Sequence, residues 1–182
     1  MRKKSAWAFL IFAIIFIGGL AWFVAMEGIS EEASNSHRYN YYLEDSSWTE
    51  AFQKAKEKGG YLVNINDEEE MNSIIEDLQN LNYMDKHFYI GAKRMPDSSE
   101  YYWTSENLSL YGGALNGRTE WINAWWDDAE PSYKNVEFEE TCVEMFYSEN
   151  KGQWVLNDVV DGFLMDQEYL SGKVGYIVEY EN

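Results

Sequence analysis

The chain has little cysteine, histidine and basic charge, and each shortage excludes a class of protein. Cys142 is the one cysteine among 182 residues, so no disulfide can form within the chain. Since apolar Val143 follows it, we expect a buried thiol rather than a nucleophile. His37 and His87 have no partner at the spacing of a zinc site or a catalytic triad.

Basic residues are outnumbered by acidic ones. The chain has 14 Lys and Arg against 32 Asp and Glu, a net charge of −18, and three of the basic residues lie within the first four positions. Binding to nucleic acid requires clustered Lys and Arg, so nucleic acid is excluded as a partner. The acidic balance suits cation binding. A hydrophobic content of 46%, with 17% aromatic residues, is enough for a folded core.

The longest uncharged apolar run covers residues 6–26, behind the basic flank 1–5. As a helix it can span a hydrocarbon core of about 30 Å. Bulky Phe23 two residues before Ala25 disfavours cleavage there, so we predict an uncleaved signal anchor in the cell membrane. Residues 1–5 would be cytoplasmic, 27–38 a polar stalk and 39–182 an extracellular domain. Secretion after cleavage near Ala25 is the alternative.

Two helices are predicted early in the domain and strands dominate later, which gives an α+β fold. Ser47 and Glu50 form a capping box for the first helix, and Met71, Ile74 and Leu78 form one stripe of the second. The predicted strands are 39–43, 61–65, 87–92, 101–104, 141–147, 153–156 and 173–179, with the last three closing the chain as antiparallel strands. Gly91 would let another backbone approach closely. Residues 104–135 form a long irregular loop.

Residues 121–158 concentrate tryptophans and side chains that carry oxygen. The oxygen groups are Glu130 and Ser132 around Pro131, Glu139 and Glu140, and the pair Asn157 and Asp158. Calcium takes about 6–8 oxygen ligands in a tolerant geometry, so this set indicates a calcium site if the loops bring it together. The alternative is a tryptophan-rich core loop surrounded by solvated acids.

The order of these motifs resembles the C-type lectin-like domain over roughly residues 39–180. The matching elements are the helix at 47–55, the strand at 60–65, the helix at 68–74, Tyr89-Ile90-Gly91, Trp126 four residues before Glu130, Cys142, Trp154 with Asn157 and Asp158, and the strand at 176–179. The resemblance implies two helices packed on antiparallel sheets, a calcium ion in the long loop, and a carbohydrate or glycoprotein ligand. It does not imply an enzyme.

Carried over by position, the resemblance gives a set of site residues. The implied calcium ligands are Glu130, Ser132, Glu140, Asn157 and Asp158, and those that also contact the sugar are Glu130, Ser132, Glu140 and Asn157. Two neighbouring sugar hydroxyls would complete the calcium shell. Glu before Pro131 resembles the type that binds mannose, fucose or N-acetylglucosamine, and Pro131 would follow a cis peptide bond.

Several positions depart from the family pattern. Ser132 stands where asparagine is usual, Trp154 is three residues from Asn157 instead of adjacent to it, and only Cys142 of the usual cysteines is present. Tyr133 and Thr141 stand where the accessory calcium sites would need acids, so no accessory site is expected. An extracellular domain without disulfides is ordinary for many bacteria, so a bacterial type of this domain is expected. A metal-independent protein-binding domain or adhesin of the same fold is the alternative function.

Overall fold

Both helices expected from the sequence are present. The computed structural model describes residues 37–105, 108–109, 120–134 and 137–181. Helix α1 spans Trp48–Glu57 and helix α2 spans Glu68–Asn80. The Ser47 side chain accepts a hydrogen bond from the Glu50 amide, and the Glu50 carboxylate accepts one from the Ser47 amide, which confirms the capping box. Asp67 caps α2 by accepting from the Glu70 amide.

Eight strands pair into one sheet within the described residues. They are β1 Arg38–Tyr42, β2 Tyr61–Leu62, β3 His87–Arg94, β4 Tyr101–Trp103, β5 Leu108–Ser109, β6 Cys142–Ser148, β7 Gln153–Val159 and β8 Val174–Tyr180. β5 was not predicted, and β2 is shorter than the expected 61–65. β2 ends early because the Asn64 amide donates to the side-chain carboxylate of Glu179 at 3.0 Å instead of to a backbone carbonyl of β8.

The sheet is mixed rather than antiparallel throughout. β6 and β7 form an antiparallel hairpin, as predicted, and β6 also pairs with β3. β8 instead runs antiparallel to β1 and β2 and parallel to β3. The three last strands, predicted to close the chain as antiparallel strands, are therefore not one antiparallel unit, since β8 pairs with β1, β2 and β3. Every residue of β8 is buried, as is typical of a strand with neighbours on both edges and packing on both faces.

The two helices pack on opposite faces of the sheet. The side chains of β3 alternate between these two faces. Phe88 and Ile90 of β3 join the core cluster that contains the α2 stripe. Tyr89 joins the cluster that contains Trp48, whose indole also donates to the Ile90 carbonyl at 2.8 Å. Gly91 lies against a crossing backbone, since a Cβ there would sit 2.4 Å from the Leu62 carbonyl oxygen. The predicted close approach is confirmed.

No helix within the part of the chain that the structure describes is both long and apolar enough to cross a membrane. The predicted anchor at residues 6–26, its basic flank and nearly all of the predicted stalk lie outside that part. The anchor therefore stays a prediction.

Candidate metal and ligand site

The long loop returns to the sheet along β7. After a 3-10 helix at Glu120–Trp125, Trp126 forms a parallel bridge with Leu156, and the Asp127 amide donates to the Leu156 carbonyl at 2.9 Å. Trp126 is 5% exposed and Trp154 is 1% exposed, so both are core residues rather than a platform for a ligand. This anchoring brings residues 130–133 to the end of β7 that carries Asp158.

Three acids predicted as metal ligands converge at this point. Glu130, Glu140 and Asp158 each offer a carboxylate oxygen, and these oxygens all lie within 4.8 Å of one another. Ser132 lies among them, since its hydroxyl donates to Glu140 Oε2 at 2.5 Å and its amide donates to Glu130 Oε2 at 2.7 Å. The Glu130–Pro131 peptide bond is cis, as expected. The structure thus brings together four of the five predicted residues.

Asp158 forms the floor of the cluster. Its side chain is 1% exposed and accepts hydrogen bonds from the Ser132 amide at 3.0 Å, from the Tyr133 amide at 2.8 Å and from the Tyr101 hydroxyl. Hydrogen bonds to a charged acceptor are among the stronger ones in proteins. Asp158 therefore fixes the position of the loop segment that carries Glu130 and Ser132.

Asn157, the fifth predicted residue, lies elsewhere. Neighbouring residues of a strand point to opposite faces, so Asn157 and Asp158 diverge. The Asn157 amide nitrogen donates to Glu144 Oε1 at 3.0 Å, and Glu144 Oε2 lies 2.6 Å from Nδ1 of His87. The role of Asn157 as a ligand stays a prediction that this contact does not favour.

The altered tryptophan spacing in β7 does not come from an insertion. The pairing of β7 with β6 is continuous from Gln153 opposite Ser148 to Val159 opposite Cys142. Trp154 and Leu156 are buried in the same core cluster, two residues apart on one face of the strand. Leu156 therefore precedes Asn157, where the family pattern has tryptophan. Trp154 lies two residues earlier on the same face of the strand.

The electrostatics of the cluster favour a cation. Partial burial and the neighbouring Asp158 carboxylate raise the pKa of Glu130 to about 7. Burial, together with the charge of Asp158, also raises the pKa of Glu140, although the Ser132 hydroxyl acts in the opposite direction. Like charges held close together disfavour ionisation unless a proton or a metal ion offsets them.

The dimensions of the cluster fit calcium. Ligand oxygens lie about 2.3–2.6 Å from the ion, so two oxygens on opposite sides of it are separated by about 5 Å. The 4.8 Å limit on the carboxylate oxygens of Glu130, Glu140 and Asp158 allows all three to share one such shell. Carboxylates and a serine hydroxyl are hard oxygen donors of the kind calcium takes.

Sequence reasoning missed Arg94, which lies behind the cluster. Its guanidinium is 1% exposed and bonds the Glu139 carboxylate at 2.6 Å, the Glu140 carbonyl at 2.8 Å and the Tyr133 carbonyl. The available signal was a basic residue at the end of a buried strand in a chain with few basic residues. That signal does not indicate which groups the side chain would contact.

A second group of potential ligands comes from α2, from β8 and from the residue just before β1. His37, Glu70 and Glu179 also have ligand atoms within 4.8 Å of one another. Protein donors occupy these carboxylates: Tyr39 donates to Glu70 at 2.6 Å, and Tyr61 and the Asn64 amide donate to Glu179 at 2.9 and 3.0 Å. The first of these bonds ties β1 to α2, and the other two tie β2 and Asn64 to β8.

Comparisons with known proteins agree with this architecture. The family model described as the Lectin C-type domain matches residues 44–160, more than half of the chain. No curated protein sequence matches the chain.

Solved structures of low sequence identity share the fold. One is the C-type lectin domain of murine dendritic cell inhibitory receptor 2 in complex with an N-glycan, with 20% identity, a TM-score of 0.53, and coverage of 81% of this chain and 92% of that one. The mouse scavenger receptor C-type lectin carbohydrate-recognition domain has 20% identity, a TM-score of 0.53, and coverage of 80% and 89%. Human lithostathine has 19% identity, a TM-score of 0.54, and coverage of 85% and 92%. These animal proteins lend no support to the predicted bacterial type.

Proposed function

Since the chain belongs to the C-type lectin domain family, we propose that it binds carbohydrate through a calcium ion held by Glu130, Ser132, Glu140 and Asp158. The observation that carries this proposal is the convergence of three carboxylate oxygens within 4.8 Å of one another. Support for the ligand class comes from a relative of the same fold that was solved in complex with an N-glycan.

The residues around the ion would have different roles in binding the sugar. When bound, calcium supplies coordination positions that two neighbouring sugar hydroxyls can fill. Glu130 and Glu140 are partly exposed, so their remaining lone pairs can accept hydrogen bonds from those hydroxyls. Buried Asp158 would hold the ion from below. Glu130 before Pro131 favours a ligand of the mannose, fucose or N-acetylglucosamine type by resemblance.

The setting of the domain is also part of the proposal. We place it outside the cell on the anchor predicted at residues 6–26, in a stalked and membrane-bound form. Single sugar sites are weak, and clustering of anchored copies on a surface raises the overall avidity without any new contact. A glycoprotein that displays several glycans would then be the natural ligand.

Metal-independent binding of a protein is the second candidate, and one observation favours it. Without any ion the cluster already satisfies part of its own hydrogen bonding, because Ser132 donates from its hydroxyl to Glu140 and from its amide to Glu130. A surface of this kind can be stable as it stands. Binding of a protein ligand that chelator leaves unchanged would identify this function.

We expect no glycoside hydrolysis. The raised pKa of Glu130 is a property that a catalytic acid also needs. However, the carboxylate oxygens of Glu130, Glu140 and Asp158 all lie within 4.8 Å of one another, as expected for ligands that share one ion. Release of nitrophenol from a panel of aryl glycosides would contradict a purely binding role.

Calorimetric titration of calcium into the full chain in detergent tests the proposal. Glu130→Gln and Glu140→Gln each remove one carboxylate from the cluster while keeping the shape of the side chain. Glu149→Gln, in the turn between β6 and β7 at the far end of the hairpin, removes the same charge as a control. We expect binding in the parent and the control, and at least tenfold weaker binding in both cluster variants. Equal heats in all four proteins, or none at millimolar calcium, would contradict the proposal.

A further inference from the structure

The guanidinium of Arg94 is surrounded by oxygen atoms. Nη1 donates to the carbonyls of Ser98 and Met95, at 2.9 and 3.3 Å, and Nη2 donates to Glu139 and to the Tyr133 carbonyl. Nε donates to the Glu140 carbonyl at 2.8 Å and to the Tyr101 hydroxyl at 3.2 Å. Each of the three nitrogens therefore has oxygen partners, and the group is 1% exposed.

This oxygen shell has the composition of a binding site for a hard cation. Four backbone carbonyls, one carboxylate and one hydroxyl are the ligand types that a buried calcium ion takes. Here the chain itself supplies the positive charge, which arginine keeps at all relevant pH values. The guanidinium carbon also lies 5.5 Å from the centre of the Tyr133 ring and 5.9 Å from that of Tyr101.

The shell joins the two segments that build the candidate site. Tyr133 follows Ser132 directly, and its carbonyl also accepts the Glu140 amide at 3.0 Å. Tyr101 contacts both Arg94 and Asp158. Arg94 thus contacts the loop at Tyr133, the segment that carries Glu140, and Tyr101.

We propose that Arg94 takes the place of a structural cation, and that it holds the segments carrying Glu130, Ser132 and Glu140 against Asp158 when no metal is bound. Arg94 is a positioning residue, since its guanidinium bonds the backbone of the site rather than the point where the three carboxylates converge. The inference rests on the proposed function for what the site binds. The positioning itself is measured without metal, so failure of calcium binding and failure of this inference are distinguishable.

Amide hydrogen exchange of the full chain in chelator tests the proposal. The reporters are the amides of Ser132 and Tyr133, which donate to Asp158, and that of Glu140, which donates to Tyr133. Met145 and Leu156, paired in the β6–β7 ladder, report on the sheet. Arg94→Met keeps the unbranched stem and removes the cation. In Arg94→Met we expect the reporter amides to exchange at least about tenfold faster and the ladder amides to exchange at the parent's rate. The reason is that the loop carbonyls lose the guanidinium donors that hold them in place.

Two further variants make the result specific. Lys151→Met removes a different cation, which lies in the β6–β7 turn, 2.9 Å from Asp128, and donates to the Trp126 carbonyl. This variant should leave the reporters unchanged. Arg94→Lys restores the charge with three donors instead of five, so its reporters should exchange at an intermediate rate. It also provides the measurement if Arg94→Met fails to fold.

Reporter rates in Arg94→Met equal to those of the parent would overturn the proposal. Acceleration that is uniform over the reporters and the ladder would also overturn it, because the residue would then support the whole sheet rather than the site. Acceleration of the same size in Lys151→Met would attribute the effect to net charge and would contradict a positioning role.

Discussion

Replacing Glu130 by glutamine should stabilise the metal-free protein above neutral pH. The pKa of Glu130 is raised from its ordinary value of 4.5 to about 7. The folded state therefore holds this proton more tightly than the unfolded state does. The stability that depends on this group is fully present below pH 4.5 and falls as the pH rises through about 7. Glutamine keeps the shape and cannot ionise, so it removes this loss.

The magnitude follows from the size of the pKa change. A rise from 4.5 to about 7 corresponds to about 3 kcal/mol if it is fully expressed. Because the Glu130 side chain is only partly buried, solvent screening reduces this to about 1 kcal/mol. We therefore expect Glu130→Gln to exceed the parent by about 1 kcal/mol in unfolding free energy at pH 8, and to equal it near pH 4.5.

Urea unfolding of the two proteins in chelator at several pH values measures this difference. Other acids also titrate over the range, so the relevant quantity is the variant minus the parent at each pH. Glu149→Gln, in the turn at the other end of the hairpin, is the matched control for removing one acidic charge away from the cluster. A Glu130→Gln protein that is less stable than the parent at pH 8 would refute the reasoning, as would a difference that does not change with pH.

Two substitutions and one thiol reaction test the fold. Ser47→Ala breaks the capping box and should lower the unfolding free energy by about 1 kcal/mol in urea unfolding; an unchanged midpoint would contradict the cap. Gly91→Ala places a Cβ 2.4 Å from the Leu62 carbonyl oxygen and should cost about 3 kcal/mol in the same assay, whereas a neutral result would show that the backbones can separate. Cys142 is fully buried, and burial raises its pKa to about 12. It should react with a thiol reagent at pH 8 only after unfolding, and rapid reaction of the native chain would contradict this.

Local signals were enough to predict the helices and most strands. The capping box at Ser47 and the stripe that contains Ile74 act within one turn of helix, so their sequence pattern is their structural cause. The position of β8 was not predictable in this way. Its partners β1, β2 and β3 lie far away along the chain, and the periodicity of a strand carries no information about which edge it joins.

Some residues of the candidate site could likewise be predicted from the sequence, and others could not. Glu130, Glu140 and Asp158 could be predicted because ordered motifs resembling the C-type lectin-like domain assigned them to one candidate site. Asn157 followed from the same motif, but strand alternation turns it towards Glu144. Arg94 could not be predicted, because its function depends on carbonyl oxygens that gather around it only in the folded chain.

Binding of glycans by the full chain, with and without calcium, tests the central claim most directly. Immobilised glycans that carry mannose, fucose, N-acetylglucosamine or galactose would be probed with the parent, Glu140→Gln and Glu149→Gln. We predict that the parent and Glu149→Gln bind a glycan of the first three types in calcium, that chelator abolishes this binding, and that Glu140→Gln does not bind. Glycan binding that persists in chelator, or that Glu140→Gln retains in full, would contradict a sugar site built on this carboxylate cluster.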